Sequence, residues 1–182
     1  MYIEIDVANA YRVVTGGPVI MIASKSKAGV NDVMTCAWNC PFDVDETIVV
    51  LDRSHTTADN INDTLKYVIC IPGNDLIDTL LAVGSAHGRD CGDKFAATNT
   101  KAQTDVNLSC AVPEGCLAYI ECELTDKDLF NKKGIALGKV TKCLVRKEYW
   151  NQEQESFEKA AALMVHHVEG SSFMTNASYI KK

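Results

Sequence analysis

The sequence predicts a mainly β protein with short helices, built as a small antiparallel barrel. Three observations carry that prediction. Strand-like segments follow one another with short connections and only occasional helical ones, which suits an antiparallel barrel better than a doubly wound sheet. No G-x-G-x-x-G follows a strand and no G-x-x-x-x-G-K-[ST] occurs, which argues against a Rossmann or P-loop nucleotide fold. The chain has 182 residues, 47% of them apolar, without a repeat or a linker, and is expected to form one domain, 1–182, around one core.

The elements follow in order. PVIMIAS (18–24) is a short apolar run after Gly16-Gly17 and reads as a strand. KSKAGVND (25–32) is a turn, and NDVMTCAWNCP (31–41) is the next strand, stopped by Pro41. TIVVLD (47–52) is rich in β-branched residues, as strands are. A helix is expected over 57–65, where Thr56 and Asp59 resemble a capping box. KYVICIPG (66–73) is a strand ended by Pro-Gly. Leu76, Ile77, Leu80, Leu81 and Val83 have helical spacing, so 74–86 is expected to be a helix. HGRDCGDKF (87–95) is a Gly-rich polar loop. Residues 116–124 and 135–150 read as strands, 154–168 as a helix, and the tail as loop.

Bulk properties narrow the function. The net charge of -6 argues against a nucleic-acid binder, which needs a basic face for phosphates. The N-terminus lacks a signal-peptide pattern, and no apolar run reaches the roughly 20 residues of a membrane helix. A cytoplasmic protein is expected. Eight cysteines without a secretory signal are expected to be reduced, most of them as small buried hydrophobes. Cys36 and Cys40 lack a second pair at zinc spacing. A nucleophilic Cys36 beside His55 lacks an identifiable third group.

LDRSHTTADNI (51–61) is the most pointed segment. It sets Arg53, Ser54, His55, Thr56 and Thr57 between a strand and a helix start. A helix N-terminus offers free N–H groups and partial positive charge, so hydroxyls and a guanidinium beside it make an anion site, with phosphate the obvious guest. The plainer alternative has Thr56 capping the helix and Arg53 as a surface charge. The strand at 31–41 precedes this segment by one strand and carries small polar groups, a thiol, Ala37 and Trp38 side by side. A ligand with a phosphate at one end and a flat heteroaromatic such as isoalloxazine at the other would span both.

PVIMIASKSKAGVNDVMTCAWNCP, VVLDRSHTTADNI, YVICIPG and DKF, in that order, resemble the flavin reductase-like, FMN-binding split-barrel proteins, which include flavoredoxin. The resemblance covers roughly residues 12 to 125. Gly29, Asn31, Met34, Thr35 and Trp38 follow one family segment, with one residue more between Asn and Met than in many members. Ser54, Thr57, Asn60 and Ile61 follow another, and Asp93-Lys94-Phe95 the last. The resemblance implies an FMN-binding split β-barrel, antiparallel and of Greek-key type. It implies that Asn31, Met34, Thr35, Cys36 and Ala37 line the flavin. Arg53, Ser54 and Thr57 would hold the phosphate, with Asn60 orienting that loop. Lys94, with His87 and Arg89 beside it in sequence, would approach the flavin from the same or a partner subunit. FMN is favoured over FAD, and a homodimer is implied. The activity implied is that of an NAD(P)H-dependent flavin oxidoreductase. The alternative is a flavoredoxin-type electron carrier, without a nicotinamide site, that serves a redox partner protein. Many relatives have Ala or Ser where Cys36 stands, and its thiol is read as packing.

Overall fold

The computed structural model describes residues 18–153, 155–156, 163–169 and 171–175. The chain runs through β1 (Ile20–Lys25), β2 (Asn31–Cys36), β3 (Asn39–Asp43), β4 (Glu46–Val50), α1 (Thr56–Thr64), β5 (Lys66–Ile71) and α2 (Ile77–Ser85). Two four-residue helices follow, α3 (Gly88–Cys91) and α4 (Lys94–Ala97), then the two-residue strands β6 (Ala102–Gln103) and β7 (Val112–Pro113). β8 (Ala118–Leu124), α5 (Lys127–Lys133), β9 (Ile135–Val145), β10 (Val165–Glu169) and β11 (Ser172–Thr175) complete the order.

Seven strands form one antiparallel sheet in the order β2-β1-β5-β8-β9-β4-β3. β4 lies beside β9 rather than its successor β5, a Greek-key exchange. β2 and β3 stand at opposite edges of this sheet, yet only Ala37 and Trp38 separate them in sequence. A two-residue link spans about 10 Å at most, so the sheet must curl until its edges meet. The Val50 N–H donates to the Trp38 carbonyl at 2.9 Å, and the Cys36 thiol reaches the Val50 carbonyl at 3.7 Å, which ties the seam.

Two cores cover the two faces of this curled sheet. Ile20, Ile22, Met34, Tyr67, Ile69 and Cys122 face inward with Ile61 of α1 and Phe130 of α5. Met21, Ala23, Val33, Val68 and Cys70 face outward beneath Leu80 and Val83 of α2. Strands covered on both faces need apolar residues at consecutive positions, hence the unbroken runs in β1 and β5.

Five expectations change. The strand expected over 31–41 breaks at Ala37-Trp38 into β2 and β3, where the chain crosses the seam. The strand expected over 135–150 ends at Val145, and Lys147–Tyr149 form a 3-10 turn. The 87–95 loop contains α3 and the start of α4. Within the helix expected over 154–168, residues 165–168 belong to β10; residues 154 and 157–162 lie outside the described residues. Val165 is buried and its carbonyl accepts from the Val19 N–H at 2.7 Å, so sheet pairing overrides the helix-favouring composition there. In the tail expected to be loop, 172–175 pair with β10 as β11. Among the described residues no helix is long and apolar enough to cross a membrane.

Candidate functional site

β2 is an edge strand, so alternate backbone N–H and C=O groups point away from β1. Along that edge runs a groove. Its polar end is a cavity of about 220 Å³ lined by Asp32, Met34 and Thr35 of β2, by residues 54–57, by Gly84 and Ala86, and by residues 87–90 with Lys94. Its more apolar end, about 490 Å³, shares Met34, Thr35 and His55 and adds Cys36, Ala37, Trp38, Val50 and Leu51, with the charged Asp52 and Lys133 beside them.

The turn before α1 is built by Asp52, whose Oδ1 accepts from the Ser54 N–H at 2.8 Å. That bond, more than any other cause, holds the Asp52 carboxyl below its ordinary range. The helix starts at Thr56 with His55 as N-cap, and no side chain caps it. Thr56 and Asp59 therefore do not form the expected capping box; Asp59 instead pairs with Arg89 at 2.6 Å. The Ala58 and Asp59 N–H groups donate to the His55 carbonyl at 3.0 and 3.3 Å, which leaves those of Thr56 and Thr57 for a ligand. The His55 Nδ1 and Thr56 Oγ1 atoms are buried without a hydrogen-bond partner among the described residues.

The expected site residues divide. Met34, Thr35, Ser54, Thr57, His87 and Lys94 line the polar cavity, and Cys36 and Ala37 the apolar end. The Thr35 hydroxyl donates to the Leu80 carbonyl at 2.6 Å, which pins β2 to α2. Burial pushes the Cys36 thiol up to about 11, so it is protonated near neutral pH and packs as a small hydrophobe. Three expected residues point elsewhere. The Asn31 Oδ1 accepts from the Ala111 N–H at 3.0 Å. The Asn60 amide donates to the Ser24 hydroxyl at 3.1 Å beneath α1. Arg53 lies 4.4 Å over the Phe130 ring and donates to Asn131 Oδ1 at 2.9 Å, and it is not among the residues that line the polar cavity.

The model of the flavin reductase like domain matches residues 12–164. The chain belongs to that family. One relative is alike over nearly its whole length. The uncharacterized protein YddH of Escherichia coli (strain K12) is 27% identical over 184 residues, covering 98% of this chain and 97% of that one. Among solved structures, an FMN-binding domain of a flavin reductases-like enzyme from Shewanella baltica OS155 superposes with a TM-score of 0.82. It is 22% identical and covers 98% of this chain and 95% of its own. Flavoredoxin of Desulfovibrio vulgaris (Miyazaki F) superposes with a TM-score of 0.75 at 15% identity, over 91% of this chain and 89% of that one. These likenesses establish the split-barrel fold.

In this flavin reductase like domain, Asp32 was not foreseen as a site residue. It is buried, and Thr57 Oγ1 donates to its Oδ2. Its Oδ1 lies 4.0 Å from Lys94 Nζ, which is buried too. Burial lowers the Lys94 pKa and the Asp32 carboxylate raises it, with burial the larger cause. The available signal was the period of a strand. Residues two apart on β2 share a face, so Asp32 falls on the face of Met34, while Asn31 on the other face is taken up by the Ala111 N–H. Counting in twos from Met34 selects Asp32.

Proposed function

We propose that this chain binds FMN in the β2 groove and acts as an NAD(P)H:flavin oxidoreductase. One observation carries the reading: an uncapped helix N-terminus with unbonded, buried polar atoms lies at one end of a groove whose other, shallow-walled end presents Met34, Cys36, Ala37 and Trp38. The residues present fit FMN. Ser54, Thr56 and the first N–H groups of α1 would hold the phosphate, with Lys94 and Arg89 supplying positive charge. Met34, Cys36 and Ala37 would pack on the ring, their small or flexible side chains letting the backbone approach. The open N–H and C=O groups of the β2 edge match the alternating donors and acceptors of its pyrimidine side. The chemistry that FMN supplies when bound is acceptance of a hydride from a reduced nicotinamide and its delivery to a second flavin or another acceptor. The protein's part is orientation, exclusion of water and charge compensation, so no side chain is assigned as acid or base.

The test is a titration with FMN followed by anaerobic NADH and NADPH, read in the visible spectrum. A saturable change in the flavin spectrum, then bleaching by either nicotinamide, is the expected result. Absence of FMN uptake rejects the reading. Bleaching by dithionite but by neither nicotinamide selects the second reading, a flavoredoxin-type electron carrier. The net charge of -6 favours that alternative, because an acidic surface suits docking to a basic redox partner protein. A homodimer is also part of the proposal: Trp38 and Phe42 on the outer edge are 55% and 57% exposed, and Val44 is 98% exposed.

A further inference from the structure

The polar end of the groove contains a carboxylate as well as an anion site, and the two make opposite demands on a ligand. Asp32 is 3% exposed, and its Oδ2 is occupied by the Thr57 hydroxyl. Its Oδ1 has no hydrogen bond among the described residues, and the nearest cation, Lys94 Nζ, stands off at 4.0 Å. A buried carboxylate oxygen without a donor is costly, and ionised carboxylates only accept. A phosphate dianion offers it no donor. A hydroxyl does.

The surroundings locate that demand. A Cβ built on Gly88 would come within 2.5 Å of Asp32 Oδ1 and 2.9 Å of Thr56 Oγ1. Both unbonded oxygens therefore lie against Gly88, which the α3 loop can bring this close only without a side chain, and both residues line the polar cavity. Asp32 sits two residues along β2 from Met34, about 7 Å in a strand, and on the side away from Ala37 and Trp38. It lines the polar cavity together with residues 54–57, and His55 of that loop lines both ends of the groove.

We propose that Asp32 is the residue of this groove that recognises a hydroxylated chain, Oδ1 accepting from a ligand hydroxyl between a flat ring on Met34–Ala37 and an anion at Ser54–Thr56. This inference rests on the flavin reading above and assigns the polyol portion of the ligand to one side chain. Lys94 Nζ faces Asp32 at 4.0 Å and supplies the ligand with a cation from the other side. The carboxylate also repels an anion that slides toward the strand, which fixes the direction in which the ligand lies.

Three flavins separate the parts: lumiflavin has the ring alone, riboflavin adds the hydroxylated chain, and FMN adds the phosphate. Binding is read by flavin fluorescence with wild type, Asp32→Ala and Asp32→Asn. Asp32→Ala is expected to weaken riboflavin by about tenfold or more, the size of a hydrogen bond to a charged group, and to leave lumiflavin unchanged. Asp32→Asn keeps the shape and removes the charge, and is expected to lower the riboflavin-to-lumiflavin affinity ratio by a smaller factor; it decides the matter if the alanine variant does not fold. Equal losses for riboflavin and lumiflavin, or no loss for either, overturn the assignment of Asp32. Wild type that binds none of the three overturns the flavin reading itself.

Discussion

Arg53 and Lys94 show how two cations near one turn come to differ. Arg53 stacks on Phe130 at 4.4 Å and is held by Asn131, so its charge is directed at α5. Arg53→Ala is expected to cost about 1 kcal/mol of stability, the usual size of an exposed cation–π contact, and to leave the ratio of FMN to riboflavin affinity unchanged. Lys94 is buried against Asp32. Lys94→Met strands a buried carboxylate and is expected to cost about 3 kcal/mol in urea unfolding, most of it regained in Lys94→Met combined with Asp32→Asn. The pH dependence has a definite sign. Burial lowers the Lys94 pKa from 10.5, so its charge is lost earlier than in an ordinary lysine. The FMN-to-riboflavin affinity ratio should fall as pH rises toward that value, and a flat ratio up to pH 10.5 would remove Lys94 from the phosphate site. Ser54 and Thr57 were legible in the sequence because hydroxyls beside a helix start form a recognisable group, and Lys94 only through its D-K-F segment; all three line one cavity. The direction of Arg53 was not legible, since Phe130 is 77 residues away and is brought under it only by the fold.

Among elements, those with a strong local signal were read and those defined by pairing were not. β1, β4, β5 and β8 announce themselves by apolar runs, and α1 and α2 by polar starts and helical spacing. α5 was missed although Asp126 caps it through the Leu129 N–H at 2.7 Å and Gly134 ends it in the left-handed conformation. Seven residues are two turns, too few for a period to stand out. β10 was read as helix because Ala, Glu and Met favour one locally, while its pairing with β11 lies outside any short window. The α5–β9 junction shapes the site from behind. Gly134 has φ +71, its carbonyl accepts from the Leu51 N–H at 2.8 Å, and a Cβ there would collide with the Leu51 carbonyl. Gly134→Ala is expected to cost about 2 kcal/mol or more and to weaken FMN, because displacing Leu51 displaces the turn that carries Ser54. Thermal unfolding and FMN titration measure the two effects, and an unchanged FMN affinity would show that the turn is held without Leu51.

For the whole molecule, the curl of the sheet leaves one problem open. β2 and β3 meet at a two-residue link, but their outer sides remain strand edges, and an exposed edge with apolar side chains invites pairing. The β2 edge borders the ligand groove, and α2 packs against that strand through the Thr35–Leu80 bond. β3 is more open: Trp38, Phe42 and Val44 are all more than half exposed on or beside it. Contiguous exposed apolar residues mark interaction sites in soluble proteins, and Trp38 also lines the apolar end of the groove. A second copy seated on β3 would thus bury this patch and close the groove together. The chain mass is 19.9 kDa, and sedimentation of wild type is expected to give twice that value. Phe42→Glu combined with Val44→Lys should return the monomer and raise the dissociation constant of FMN, because the ring end of the groove would then face water. Wild type sedimenting as a monomer rejects the dimer. A dimer that survives both substitutions moves its interface elsewhere, for which the exposed Val168 and Met174 of the β10–β11 hairpin are the next residues to change. A monomeric variant with unaltered FMN affinity would separate the two roles, leaving β3 as the interface and the groove complete within one chain.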